Sequence, residues 1–256
     1  MDILHALILG IVEGITEFLP VSSTGHLILA GELLKIPETN FQKSFDIIIQ
    51  LGAILSVIVL YWKTLWDMAT IKKLIVAFIP TGVIGLLLYH TVKTYFLGNQ
   101  YIVLWSLFLG GVILIAFEHW HREEDAAIND IAKISYKHAA LIGLFQSLAI
   151  IPGLSRSAAT IVGGLLLGLK RTTIVEFSFL LAVPTMLAAS GLDLIKNASS
   201  FSMDQFGVLA VGFITSFVVA IFSIKFLLNY IRKHDFIPFG IYRIIAAILF
   251  WMFVIL

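Results

Sequence analysis

Cysteine is absent from this chain, which excludes disulfides, thiolate zinc sites and a cysteine nucleophile. Charge is scarce. Asp, Glu, Lys and Arg make up 13% of the residues, about half of the roughly 25% found in soluble domains. The net charge is only +1, and no basic cluster is interleaved with aromatics. Nucleic acid is therefore not expected as a partner. Long polar stretches are missing too, apart from one soluble segment, His119–His138. What remains is apolar: 59% of the residues are hydrophobic and the mean hydropathy is +1.00. The apolar runs have the length of bilayer-crossing helices, about 17–25 residues, and not the short alternation of a membrane barrel. The expectation is an all-α polytopic membrane protein, with 1–256 as a single integral membrane domain. The first apolar run follows Met1-Asp2 without a positive region and carries Glu13 and Glu17. It makes a poor signal peptide and is expected to be retained.

That first run, Ile3–Leu34, is broken by Pro20 and Gly25 into two short pieces. The piece after Gly25 would reach about 14 Å, half of a 30 Å hydrocarbon core. Two short helices around a polar turn describe a re-entrant hairpin, which is tolerated at membrane depth only where protein or water covers it. Three spans are expected next: Phe45–Tyr61, Leu74–His90 and Tyr101–Glu118. The pattern then recurs. Ala139–Ile151 and Thr160–Leu169 flank a second polar turn, Pro152–Ala159, and the spans Glu176–Leu194, Phe206–Leu228 and Phe239–Leu256 follow. Gly10–Ser23 (GIVEGITEFLPVSS) parallels Gly143–Ser155 (GLFQSLAIIPGLS), and the segment from Phe45 parallels that from Phe177, at an offset of about 132. Each half, approximately 1–118 and 139–256, would hold one re-entrant helix hairpin and three transmembrane helices. An odd number of crossings inverts the second half, and inverted repeats place their sites near the midplane at the repeat interface.

This topology distributes the 17 Lys and Arg unevenly, with Arg156 in the second hairpin and Arg243 in the last span assigned to neither side. Lys35, Lys43, Lys93 and Lys196 fall on one side. Lys63, Lys72, Lys73, Arg122, Lys133, Lys137, Lys170, Arg171, Lys225, Arg232 and Lys233 fall on the other. The positive-inside rule makes the richer side, with the 119–138 loop, cytoplasmic. Both termini are then outside, and the first hairpin opens to the outer face.

The chemistry is concentrated in the two turns. Charged groups at bilayer depth are costly and mark function by default. Glu13 and Glu17 are one helical turn apart and would repel unless one is protonated or a cation lies between them. Two carboxylates, a divalent cation and phosphate oxygens form a common Mg²⁺ arrangement. Ser22, Ser23 and Thr24 follow Pro20 at the start of the second short helix, where backbone N–H groups bind anions. Helix capping would explain one hydroxyl but not three. His26, beside them, could act as a base for Ser23 or as a nucleophile. Arg156, between Ser155 and Ser157 and before Thr160, suits bidentate binding of phosphate oxygens. Asp46, Gln50, Glu176 and Arg243 read as polar contacts between helices, and Gly10-x-x-x-Gly14 as a close-packing face, within the chain or between two copies.

Together, EGITEFLPVSSTGH (Glu13–His26) and PGLSRSAAT (Pro152–Thr160) resemble the motifs of the bacterial undecaprenyl pyrophosphate phosphatase family of the bacitracin-resistance type. The similarity extends over the whole chain, with Ala158 where many members have glycine. The resemblance implies hydrolysis of the terminal phosphate of a C55 isoprenyl pyrophosphate to the monophosphate carrier lipid of cell-wall synthesis. It further implies the plasma membrane, an active site open to the outer (periplasmic) face, and dependence on a divalent cation, Mg²⁺ or Ca²⁺. Carried onto this sequence, Glu17, Ser23, His26 and Arg156 would be catalytic and Glu13 and Glu17 would hold the metal. Ser22, Thr24, Ser155, Ser157 and Thr160 would bind substrate. A homodimer is possible. The rival reading is a transporter or flippase of polyprenyl phosphate, since inverted repeats are also transporter architecture.

Overall fold

Polar side chains mark the helix starts in the computed structural model of the chain, which describes residues 1–37, 39–96, 99–124, 127–197 and 205–252. Asp2, Thr39, Asp67, Asn99 and Ser135 each accept a backbone N–H from the turn that follows. They open α1 (Ile3–Thr16), then, after α2 (Ser23–Leu33), α3 (Asn40–Leu60); after the short α4 (Trp62–Leu65), α5 (Met68–Thr91), α6 (Gln100–Trp120) and α7 (Tyr136–Gln146). The chain continues through α8 (Arg156–Leu166), α9 (Arg171–Asn197), α10 (Phe206–Tyr230) and α11 (Ile237–Phe250). Among the described residues the only strand-like pairing is one bridge, Ile128 with Leu169.

Five of these helices, α3, α5, α6, α9 and α10, are long and apolar enough to cross a membrane, and α1 and α11 are shorter apolar helices of 14 residues. Helices α2, α7 and α8 have 11 residues each. At 1.5 Å per residue that is about half the thickness of a bilayer core. The spans α3, α5 and α9 start earlier than expected, at Asn40, Met68 and Arg171, and two boundaries differ at the second turn. The α-helix before the second turn ends at Gln146 and tightens into a 3₁₀ turn, Ser147–Ile150. Helix α8 starts at Arg156 because Ser155 caps it, so Arg156 stands on the first turn of a helix instead of in a loop. Residues 253–256 of the last expected span, and the side chains of Lys93 and Lys196, lie outside the described residues.

Glycine decides how closely the short helices dock. A Cβ on Gly10 would lie 2.7 Å from Gly212 O, and one on Gly14 would lie 2.7 Å from Val219 Cβ. The Gly10-x-x-x-Gly14 face is thus filled by α10 of the same chain. Gly143, the counterpart of Gly10, brings α7 equally close to α5, where a Cβ would overlap Ala77 O. Helices α3 and α9 pack on each other between these pairs, as do α6 and α11.

Polar contacts gather the basic segments at one end. Lys73 Nζ donates to Ile131 O (3.0 Å) and Ala132 O (2.7 Å). Arg171 forms a two-pronged ion pair with Glu118, which also accepts from Phe236 N–H at 3.2 Å. At the opposite end Gln100 Nε2 donates to Glu32 Oε1 at 2.6 Å, joining the start of α6 to the end of α2. Between the two ends lies a large apolar cluster centred on Phe18, Phe177 and Phe179, each fully buried.

Candidate active site

The first turn is held by its own side chains. Glu17 closes α1, with its N–H on Glu13 O at 2.9 Å. Phe18 then turns into the core and meets Phe179 of α9 edge-on, ring centroids 5.2 Å apart. Ser22 adopts φ +74°, a left-handed conformation that non-glycine residues rarely take, and its hydroxyl accepts from Gly25 N–H to start α2. The second turn repeats the device: Ser155 has φ +77° and accepts from Ala158 N–H to start α8. Among the described residues only one other non-glycine residue, Lys35, has positive φ. Strain at equivalent positions of two turns is a mark of a functional site.

The residues just after these caps meet. Ser23 Oγ donates to Glu17 Oε2 at 2.5 Å. The other oxygen, Glu17 Oε1, accepts from Arg156 Nη2 at 2.8 Å. Arg156 Nη1 donates to Ser178 O at 2.8 Å, and its guanidinium lies over the Phe18 ring at 6.0 Å. A line of contacts thus runs from Ser23 through Glu17 to Arg156 and joins two turns distant in sequence. A guanidinium has five N–H donors; Arg156 Nε has no partner. Thr160 stands behind this line: its hydroxyl is 2.6 Å from Ser178 Oγ and donates to Arg156 O at 3.0 Å. Ser157 is buried with an unpartnered hydroxyl.

His26 takes different partners from Ser23. Its Nδ1 is 2.8 Å from Ser22 O and its Nε2 is 2.8 Å from the Tyr242 hydroxyl, with the two rings stacked at 5.4 Å. Both ring nitrogens are therefore occupied, and the carboxylate beside Ser23 Oγ belongs to Glu17.

Glu17, Ser22, Ser23, Thr24, Ser155 and Arg156 form the polar floor of a cavity of about 680 Å³. Its walls are otherwise mostly apolar, with Thr81, Gln146 and Thr185 as the polar exceptions: residues between Phe78 and Tyr89 of α5, Ala149–Ile151 beyond α7, and Met186, Ala188 and Ala189 of α9. Gly85 has nothing within 4 Å of where a Cβ would stand, so it leaves the groove open. Two starting helices, α2 and α8, direct their positive ends to the same floor.

Glu13 lies one turn below Glu17, fully buried, and neither of its carboxyl oxygens has a partner. Its counterpart, Gln146, is nearly as buried but bonds Thr81 Oγ1 (2.9 Å) and Thr185 Oγ1 (3.2 Å) in the cavity wall. No group of three or more His, Cys, Asp or Glu side chains among the described residues could enclose a metal. The donor set nevertheless suits a cation such as Mg²⁺, which takes one or two carboxylates and completes its shell with water and phosphate oxygens.

The bacitracin resistance protein BacA family model matches residues 6–249 of this chain. The chain belongs to the BacA family. Among its relatives, undecaprenyl-diphosphatase from Sulfurihydrogenibium sp. (strain YO3AOP1) is 54% identical over 252 residues, 98% of this chain and 99% of that protein. The Persephonella marina undecaprenyl-diphosphatase is 51% identical over 256 residues and all of both chains. The undecaprenyl-diphosphatase of Methanococcus aeolicus is 45% identical over 254 residues, 99% of both.

Within this candidate site, sequence reasoning missed Ser178, which holds Arg156, and Tyr242, which holds His26. It also missed the α5 wall. Ser178 left a weak trace, a single hydroxyl inside an apolar span. Gly82 and Gly85 left none, because a glycine in an apolar helix reads equally well as packing.

Proposed function

We propose that this chain hydrolyses undecaprenyl diphosphate to undecaprenyl phosphate and inorganic phosphate at the outer face of the plasma membrane. The observation that carries the reading is the Ser23–Glu17–Arg156 line at the floor of a cavity whose walls are mostly apolar. It fits a ligand with a pyrophosphate head and an isoprenoid tail.

Ser23 Oγ attacks the terminal phosphorus while Glu17 takes its proton. The Oγ–P bond forms, the bridging P–O bond breaks, and the lipid monophosphate departs. Glu17 passes that proton to the departing lipid phosphate. Water then attacks the phosphoserine, and Glu17 takes one proton from the water and delivers it to Ser23 Oγ as the Oγ–P bond breaks. Inorganic phosphate leaves with the water oxygen and its other proton. Arg156, with the N-termini of α2 and α8, stabilises the charge that gathers on the equatorial oxygens. His26 and Tyr242 orient the Ser22 carbonyl and so the cap of α2. Glu13 and Glu17 would hold a divalent cation, which supplies positive charge to the pyrophosphate oxygens. The orphaned oxygens of Glu13 support this. Glu13→Gln is expected to raise the Mg²⁺ or Ca²⁺ concentration needed for half-maximal activity by about tenfold, an outer estimate for one lost carboxylate ligand. Mn²⁺ binding followed by electron paramagnetic resonance should weaken in parallel; unchanged Mn²⁺ affinity would remove Glu13 from the metal site.

An inverted repeat with two re-entrant hairpins is supported by the paired packing of α1 on α10 and α7 on α5, and by the matching strained caps. The cavity extends from its floor towards Tyr89 and Ala189, which belong to the later turns of α5 and α9. Those helices start at the basic end, so the cavity points away from it. With that end cytoplasmic, the cavity faces outside.

The test is phosphate release from undecaprenyl diphosphate by the purified protein in detergent. Release supports the enzyme. Binding without release, together with lipid movement in vesicles, would favour a carrier. The tail is read separately at Gly85. A Gly85→Leu variant narrows the groove and is expected to raise KM for the C55 lipid about tenfold at nearly unchanged kcat. Its KM for a short, water-soluble isoprenyl diphosphate should barely move; an equal rise for both would contradict a tail groove on α5.

A further inference from the structure

Arg243 of α11 is the largest fully buried side chain among the described residues. All its bonds go to backbone carbonyls. Nε donates to Leu107 O (3.3 Å), Nη1 to Pro20 O (3.3 Å) and Leu154 O (3.1 Å), and Nη2 to Ser106 O (3.1 Å) and Gly153 O (3.0 Å). The five donors of the guanidinium thus meet five acceptors, and none of these is a carboxylate. Carbonyls satisfy the hydrogen bonds but leave the charge uncancelled.

The acceptors have a pattern. Pro20 and Gly153 stand 133 positions apart, as do the cap residues Ser22 and Ser155. Each lies three residues before a side chain of the proposed chemistry, Ser23 in one turn and Arg156 in the other. Position 110, the counterpart of 243 at the same spacing, is glycine. A Cβ on Gly110 would overlap Arg243 Nη2. Helices α6 and α11 approach closely here, since a Cβ on Gly111 would lie 2.7 Å from Gly240 O. The two halves therefore leave space for one guanidinium between them. One half supplies it and the other supplies the vacancy.

We infer that Arg243 is a positioning residue that pins the two turns to each other through Pro20 and Gly153, so that Ser23 and Arg156 address one phosphate. The inference rests on the proposed phosphatase reading and adds a residue that touches neither lipid nor phosphate. Lysine keeps the charge but offers three donors on one flexibly held nitrogen, so at least two of the five carbonyls lose their donor and the two turns are held less rigidly. Misplacement of reacting groups by about an ångström costs on the order of a hundredfold in rate.

The test compares Arg243→Lys, Arg243→Gly and the exchange variant G110R/R243G with the unmodified chain in detergent. Arg243→Lys is expected to lower kcat at least tenfold with KM changed by less than twofold. Arg243→Gly should lose about a hundredfold, and the exchange should recover at least tenfold of that loss, because the guanidinium then reaches both turns from the other half. A near-normal kcat in Arg243→Lys, or a folded exchange variant no better than Arg243→Gly, would overturn the inference. Spin labels on T24C and L148C provide a readout independent of turnover and usable if the exchange variant does not fold. The distance distribution between the turns should broaden in Arg243→Lys; an unchanged distribution refutes the pin. Loss of turnover in the unmodified chain would instead refute the phosphatase reading, leaving the spin-label distances to decide the role of Arg243.

Discussion

Arg156→Lys is expected to lower kcat for phosphate release by about two to three orders of magnitude, the usual cost of removing one preorganised donor from a transition state. The geometry explains why the charge alone does not suffice. Arg156 spans from Ser178 O to Glu17 with two nitrogens of one rigid plane. A lysine ammonium at the end of a flexible stem reaches one of these anchors at a time. Glu17 then loses the partner that fixes the carboxylate beside Ser23. Arg156→Ala is expected to be worse and also less stable, because Glu17 is left as a buried charge without its partner. Breaking such a pair costs about 3–5 kcal/mol, which a thermal melt in detergent would read as a lower Tm. The two variants separate the roles: Arg156→Lys should fold and bind lipid but turn over slowly, whereas Arg156→Ala should also lose stability. Near-normal kcat in Arg156→Lys would remove the guanidinium from the chemistry.

The second large effect is at Ser23 and Glu17. Ser23→Ala is expected to abolish turnover by about 10³-fold or more while leaving Tm within about a degree, since it removes one hydroxyl from a carboxylate that keeps its arginine. Glu17→Gln is expected to reduce kcat by about 10³-fold for a different reason. The amide oxygen can still accept from Ser23 but cannot take its proton. Its NH₂ group must face either the Arg156 guanidinium, where a donor meets a donor, or Ser23 Oγ, which then accepts instead of donating. Phosphorylated Ser23, trapped by rapid acid quench and found by mass spectrometry, would support the covalent route. Full activity in Ser23→Ala would transfer the attack to water and leave Glu17 as its base. His26→Ala provides the internal comparison. With its ring between Ser22 O and Tyr242, His26 is expected to lower kcat by only about tenfold, and Tyr242→Phe should lower it by a smaller factor in the same direction.

The location of the candidate site was legible in the sequence because lipid penalises its chemistry. Carboxylates, hydroxyls and an arginine inside apolar runs are conspicuous, and both turns were found from them. Capping was open as one reading of a hydroxyl in the first turn, but that of Ser155 was not read, since the helix after the second turn was expected to begin at Thr160 and begins at Arg156. The pairing of Ser23 with Glu17 was not legible. Glu17 and Ser23 are separated by a turn whose path depends on Phe18 meeting Phe179 and on the left-handed Ser22. Spacing alone left His26, three residues after Ser23, as the nearer base. In α2 the two share a face, but the His26 ring is turned to Ser22 O and Tyr242, while Ser23 bonds Glu17. Arg243 was visible only as a polar residue in a span, because its acceptors are backbone carbonyls on three other segments, and carbonyls carry no sequence signal. The Gly10-x-x-x-Gly14 pair was ambiguous between partners inside and outside the chain until α10 was seen to fill its face. The cavity wall was illegible for a related reason: an apolar residue facing a lipid tail and one facing a neighbouring helix look alike.

The most direct measurement is a structure of the protein with a non-hydrolysable, methylene-bridged undecaprenyl diphosphate analogue and a divalent cation. The terminal phosphorus should lie within reach of Ser23 Oγ, with its oxygens on Arg156 and on the N-termini of α2 and α8. The tail should run along α5 past Gly82 and Gly85. A head group held away from both turns, for instance at the basic surface formed by Arg171, Arg232 and Lys233, with no phosphate between Ser23 and Arg156, would contradict the account.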